Sequence, residues 1–159
     1  MVPKWIDASG QQKFRLVVDY RKLKEKTVGN AYRLPDITEI LDQLRQAKYY
    51  SCLDVAMGYH QIDMDPSDID KTAFSIKEGH WAYKRMPFGL KTAPATFQKM
   101  MNNVLSGLTG TRGYVFLDDI VLYANSLVEH DRKLRDVFKR LRKHNLKLQP
   151  YKCEFLGKT

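Results

Sequence analysis

Two apolar runs, Tyr114–Leu117 and Ile120–Ala124, are separated by only two residues, Asp118 and Asp119. So short a connection folds the runs back on each other as an antiparallel hairpin, because a parallel crossover needs a dozen or more residues. Aspartate tolerates the left-handed conformations of tight turns, so the pair can serve simply as turn residues. Asn-Gly or Asp-Gly would serve the turn better, however, and two adjacent carboxylates repel one another between apolar strands. A bound divalent cation would offset that repulsion. Asp54 repeats the theme, as a lone acid near the end of the largely apolar run Tyr49–Val55 (YYSCLDV). If that run lies beside the hairpin in one sheet, three carboxylates converge.

The rest of the chain mixes helices with short strands. Asp36 with Glu39 reads as a capping box, followed by the apolar stripe Ile37, Ile40, Leu41 and Leu44. A second helix opens near Pro94 and carries Phe97, Met100, Met101, Val104, Leu105 and Leu108 at helical spacing until Gly110. A third opens with Ser126 and Glu129, buries Leu134, Val137, Phe138 and Leu141, and presents a basic outer face. Strand-like runs occupy Phe14–Tyr20, Tyr59–Met64, Thr72–Ile76 and Trp81–Met86, with turn signals at Asp65-Pro66 and Glu78-Gly79. This order predicts an α+β fold: an antiparallel sheet with helices packed on one face.

Length and charge narrow the function classes. At 159 residues the chain makes one domain with a real core. No apolar run approaches a membrane span, and Met1-Val-Pro-Lys-Trp resembles neither a secretory leader nor a transit peptide. Cys52 and Cys153 are expected to be reduced thiols, and the four histidines show no zinc-ligand spacing with them. The net charge is +9, of which +6 falls in residues 126–159, where ten basic residues face four acidic ones. A second basic stretch runs through Lys13, Arg15, Arg21, Lys22, Lys24 and Lys26. Such an excess attracts polyanions, nucleic acid first, although solvated basic faces would read the same way. Hard carboxylate oxygens suit Mg²⁺, and two such ions about 3.5–4 Å apart would clamp both oxygens of a phosphoryl transfer.

Six stretches in fixed order then carry a resemblance: FRLVVDYRKLK (Phe14–Lys24), YRLPD (Tyr32–Asp36), SCLDVAMGYHQI (Ser51–Ile62), MPFGLKTAPATFQ (Met86–Gln98), YVFLDDIV (Tyr114–Val121) and KCEFL (Lys152–Leu156). The chain resembles the reverse transcriptase domain of gypsy-like long-terminal-repeat retrotransposons, relatives of the retroviral enzymes, over essentially its whole length. The resemblance implies the fingers and palm of a right-hand polymerase over residues 1–159. It implies an RNA-directed DNA polymerase that extends a primer with deoxynucleotides by two-metal catalysis. Asp54, Asp118 and Asp119 would hold two Mg²⁺ ions, or Mn²⁺ in their place, with the Val55 backbone carbonyl as a further ligand.

The same resemblance gives Tyr59 the role of rejecting a 2′-hydroxyl, and places Arg15 over the triphosphate, with Lys4 or Lys13 as a second phosphate contact. Phe88 and Gly89 would contact nucleotide and template, and Gln98 would face the template. Phe116, where the retroviral enzymes usually carry tyrosine, would lie at the primer. Lys152 would protonate the departing pyrophosphate. Taken without the resemblance, Tyr59 is a core tyrosine, Arg15 a strand-edge charge, Gln98 a polar helix position and Lys152 a surface lysine.

The family's active polypeptides are longer, with a primer-gripping turn, a thumb, a ribonuclease H domain and an integrase expected outside this chain. Extension by the isolated chain is therefore expected to be weak or absent. The implied partners are an RNA or DNA template with its primer, deoxynucleoside triphosphates and the remainder of a Pol polyprotein, with no membrane. The implied location is a cytoplasmic virus-like particle with passage to the nucleus, and not a secreted one. Two other readings stand beside this one. The first is a catalytically inactive nucleic-acid-binding remnant whose basic third helix holds the backbone. The second is an RNA-directed RNA polymerase, against which Tyr59 argues.

Overall fold

The computed structural model describes residues 2–6, 10–32, 35–108 and 113–158. Its centre is a four-stranded sheet. The hairpin anticipated from the paired apolar runs forms from Gly113–Phe116 (β6) and Asp119–Ala124 (β7). Tyr49–Asp54 (β3) pairs antiparallel with β7, and Glu154–Lys158 (β8) pairs antiparallel with the other edge of β3, giving the order β6-β7-β3-β8. Two smaller hairpins complete the strands: Val2–Ile6 (β1) with Gln12–Arg15 (β2), and Phe74–Ile76 (β4) with Gly79–Trp81 (β5).

Strand alternation decides the two faces of the sheet. Ser51, Leu53, Val55, Val115, Ile120, Leu122 and Ala124 are all buried, so one face is covered. The cover is Ala93–Val104 (α3) and Leu127–Lys143 (α4). Pro94 starts α3 with a pre-set φ, and Phe97, Met101 and Val104 then return to the same side at helical spacing. Phe97 is fully buried in this core, and burial of such a ring is worth roughly 2–3 kcal/mol. Ser126 caps α4, accepting from Glu129 N at 3.3 Å, while the Glu129 carboxylate reaches back to Asn125 N. Polar groups beneath the sheet are paired. Ser51 Oγ lies 3.0 Å from His130 Nε2 and accepts from Leu156 N at 3.1 Å.

Several local expectations are corrected. Phe14–Tyr20 is not one strand: β2 ends at Arg15, and a short helix, Arg21–Lys26 (α1), follows with no buried residue. Its sequence RKLKEK offers a single apolar residue, so no amphipathic stripe announces it. Tyr59–Met64 is not a strand either, because Gly58–Gln61 forms a 3₁₀ turn after Met57 enters the left-handed region at φ 46°. Thr72 ends a second 3₁₀ turn, Pro66–Thr72, so β4 starts only at Phe74, and β5 closes at Trp81 where a strand reaching Met86 was expected. In the helix Ile37–Arg45 (α2), Ile40 is buried while Ile37 and Leu41 are exposed, so its stripe is only half used. Phe138, expected inside α4, is 37% exposed.

Candidate active site

The antiparallel register of β3 and β7 sets Asp54 directly opposite Asp119, and the register of β6 and β7 sets Phe116 opposite Asp119. Leu53 and Ile120 point into the covered core, so their neighbours Asp54 and Asp119 project from the other, open face. Asp118 joins them through the backbone: Val55 N donates to Asp118 O at 2.8 Å. Asp54 is thus gathered with the distant pair Asp118 and Asp119 at one end of the sheet.

The turn itself is shifted by one residue from the sequence expectation. Leu117 and Asp118 form it, and Asp119 already belongs to β7. Leu117 takes the left-handed slot at φ 52°, a conformation that costs a side-chain-bearing residue of order 1–3 kcal/mol. Gln98 holds it there. From α3 its Nε2 donates to Val115 O at 2.8 Å and to Asn102 Oδ1 at 3.2 Å, while its Oε1 accepts from Leu117 N at 3.1 Å. Gln98 is completely buried, which overturns the expectation that it faces a template. Its amide matches one backbone donor and one backbone acceptor of the turn, which no exposed polar role would require.

Gly58 makes the room beneath Asp118. A Cβ there would come within 2.8 Å of Asp118 Oδ1 and 2.7 Å of Phe97 Cζ. Beside it, the Tyr59 ring packs 5.1 Å from Phe88 and 5.6 Å, edge-on, from Phe97. Burial and then the charge of Asp118 push the Tyr59 hydroxyl above its usual range. Gly89, at φ 93°, lets the chain after Phe88 turn in a way a side chain would resist. Val55 is buried opposite Leu148, and Phe116 is partly buried at the end of β6. The side chains of Lys4, Lys13 and Arg15 lie outside the described residues; the backbone of Arg15 closes β2 opposite Val2.

Lys152 reaches the site across the fold, and its Nζ donates to Asp54 Oδ2 at 3.2 Å. The segment that carries it is stitched to β3, since Gln149 N donates to Asp54 O at 2.9 Å and Ala56 N to Lys147 O at 2.9 Å. Gln61 was not singled out from the sequence, yet it fastens the same joint. Its Nε2 donates to Ala56 O at 2.5 Å and Lys147 O at 2.9 Å, and its Oε1 accepts from Lys147 N at 2.7 Å. Only its long separation from Lys147 along the chain hid that role.

The electrostatics ask for positive charge. Asp119 is held above the ordinary carboxylate range, first by burial and then by the negative charge of Asp54, with Lys152 opposing. Asp118 Oδ1 is sealed from solvent. Among the described residues no three Asp, Glu, His or Cys side chains close into a compact metal shell. An open set of carboxylates suits a hard cation that keeps waters and phosphate oxygens as its remaining ligands. The ammonium seated on Asp54 marks where positive charge is favourable, so these residues fit such an ion.

With this geometry in place, comparison with known proteins is decisive. The family described as reverse transcriptase (RNA-dependent DNA polymerase) matches residues 4–159. The chain belongs to the reverse transcriptase family. The retrovirus-related Pol polyprotein from transposon 297 of Drosophila melanogaster is 52% identical over 158 residues, covering 99% of this chain and 15% of that polyprotein. The counterpart from transposon gypsy of the same organism is 37% identical, covering 99% of this chain and 16% of its own length. The chain therefore spans about one sixth of these relatives, and the gypsy-like resemblance is borne out. Among solved reverse transcriptases, a foamy viral protease-reverse transcriptase in complex with dsDNA aligns at TM-score 0.84 and 26% identity, over 98% of this chain and 31% of that one. The foamy viral enzyme in complex with an RNA/DNA hybrid aligns at TM-score 0.81 and 26% identity, over 89% of this chain and 19% of that one. The α+β architecture expected from the sequence is that of this family. No described helix is long and apolar enough to cross a membrane.

Proposed function

We propose that residues 1–159 form the fingers and palm of an RNA-directed DNA polymerase of a retrotransposon Pol polyprotein. The observation that carries this is the register that sets Asp54 opposite Asp119, with Asp118 tied to Val55 beside them. Asp54, Asp118 and Asp119 would hold the divalent cations, with the Val55 carbonyl as a further ligand. Two Mg²⁺ ions, or Mn²⁺ in their place, would supply neutralisation of the attacking and leaving oxygens when bound.

The chain's own groups do the positioning on which phosphoryl transfer depends. Tyr59, braced by Phe88 and Phe97, lies under the sugar and excludes a 2′-hydroxyl, the group that separates RNA from DNA precursors. The backbone at Phe88 and Gly89 approaches the nucleotide closely. Arg15 meets the triphosphate, with a guanidinium suited to bidentate phosphate contact. Phe116 lies at the primer end. Lys152 Nζ, already at the carboxylates, gives its proton to the departing pyrophosphate. Gln98 acts through the turn it pins. The substrates are deoxynucleoside triphosphates and a primed RNA or DNA template, and the setting is a cytoplasmic particle with later entry to the nucleus.

Extension of a DNA primer on an RNA template in Mg²⁺, beside an Asp118→Asn/Asp119→Asn control, tests this reading. Extension that disappears in the control supports it. Salt-sensitive binding of the primed template with no extension, even after the remaining polyprotein segments are supplied, would leave a nucleic-acid-binding remnant instead.

A further inference from the structure

The outer face of α4 has no place in the chemistry above. The buried residues of this helix, His130, Lys133, Val137 and Leu141, face the sheet. Arg132, Arg135, Lys139 and Lys143 each follow one of them by two residues, about 200° around the helix, so they form one exposed stripe on the opposite side. Arg142 and the 37%-exposed Phe138 stand on its shoulder. From Arg132 to Lys143 the stripe runs about 16 Å. Of its cations, Arg135 is bridged to an acid of the same helix, Asp131, at 2.7 Å. The last-turn cations Arg142 and Lys143 also suit the carbonyl end of the helix dipole. That account does not reach Arg132, Arg135 or Lys139, nor does it explain the partly exposed phenylalanine ring at their edge.

We propose that this stripe is a second nucleic-acid site, which takes a single strand on the side of the sheet away from the carboxylates. Cations at helical spacing match a phosphate backbone, and an exposed aromatic ring beside them offers a stacking surface that only an unpaired base can use. Asp54 and Asp119 project from the open face while α4 covers the other, so a strand held here is not the strand in the active site. The stripe would tether template that has not yet been copied.

The test is binding of a labelled single-stranded RNA to the 159-residue chain in EDTA. Three variants are compared at several salt concentrations: Arg135→Glu/Lys139→Glu/Lys143→Glu, Phe138→Ala, and a charge-matched reversal at scattered exposed sites, Lys48→Glu/Lys77→Glu/Lys84→Glu. The α4 reversal is expected to weaken binding at least tenfold, and the scattered one less than threefold. The log–log salt slope should fall by about 2 with the α4 reversal, at about 0.7 per phosphate contact for a single strand. Phe138→Ala should weaken binding about fivefold with little change in slope. The Asp118→Asn/Asp119→Asn chain should bind as the parent does, which separates this site from the proposed catalysis. On the unaltered chain, bound RNA should protect Lys139 and Lys143 from acetylation and leave Lys48, Lys77 and Lys84 reactive. Equal loss in both reversals, absence of that protection, or duplex binding as tight as single-strand binding and indifferent to Phe138 would each overturn the proposal.

Discussion

The two faces of one sheet treat charge in opposite ways. On the covered face, Lys133 is only 4% exposed, yet its ammonium meets Glu129 at 2.8 Å and Tyr123 O at 2.7 Å and lies over the Tyr123 ring. Glu129 is correspondingly held below the ordinary carboxylate range by Lys133. On the open face, Asp119 is pushed the other way by burial and by Asp54. A polar group placed for stability arrives with its partners, whereas one placed for chemistry leaves room for a partner from outside. Proteins break local rules at functional sites and compensate elsewhere.

The largest effect should come from the open face. With the remaining polyprotein segments supplied, Asp54→Asn should lower primer extension about 10³-fold or more, or roughly 4 kcal/mol of barrier, while leaving the melting temperature of the 159-residue chain within a few degrees. Steady-state extension paired with thermal melting checks this, and a large loss of stability would blur the contrast between the faces. Gln98→Leu probes the seam between them. It strands Leu117 N and Val115 O, so it should cost about 2–3 kcal/mol in urea unfolding and depress extension through the misplaced turn. Full extension by a folded Gln98→Leu chain would remove its positioning role.

On the covered face, Glu129→Gln should cost roughly 1–3 kcal/mol because it leaves a buried ammonium short of its carboxylate, while Lys133→Met should cost less because both needs disappear together. Denaturant unfolding of the pair decides that order. The smallest effect concerns pH. A carboxylic acid with a raised folded value binds more protons folded than unfolded, so the fold loses stability as pH rises through the window between its usual and its raised value. Asp119→Asn should therefore stabilise the metal-free chain at neutral pH, and the gain should vanish below the ordinary carboxylate range. Glu129 has the opposite sign: its contribution is present above that range and is lost as pH falls through its lowered value. Melting curves across acid pH for the two single variants should diverge in this way.

How much of this was legible in the sequence depended on whether a residue's role is local. The β6–β7 hairpin and α3 were readable because apolar period and turn length are short-range signals. The convergence of Asp54 with Asp118 and Asp119 was readable only as a condition on β3 lying beside the hairpin, since strand pairing is not written in either segment alone. Gln98 was misassigned because a glutamine that faces solvent and one that clamps buried backbone have the same helical spacing. The turn slipped by a residue because Leu117, an unfavoured left-handed residue, is held there by that distant amide. Phe138 was assigned to the core by its period, yet it sits one step around the helix from Val137, at the edge of the buried arc.

The pairing of β3 also has a consequence for how the molecule is made. Its residues Tyr49–Asp54 form an interior strand whose two neighbours, β7 and β8, come much later in the chain. During synthesis from the N-terminus, YYSCLDV must wait with both backbone edges open until those partners emerge. Such non-local pairing folds slowly and exposes aggregation-prone edges meanwhile. A chain stopped short of β7 would never close either edge, so soluble expression should improve abruptly once Ala124 is included and again once β8 is complete.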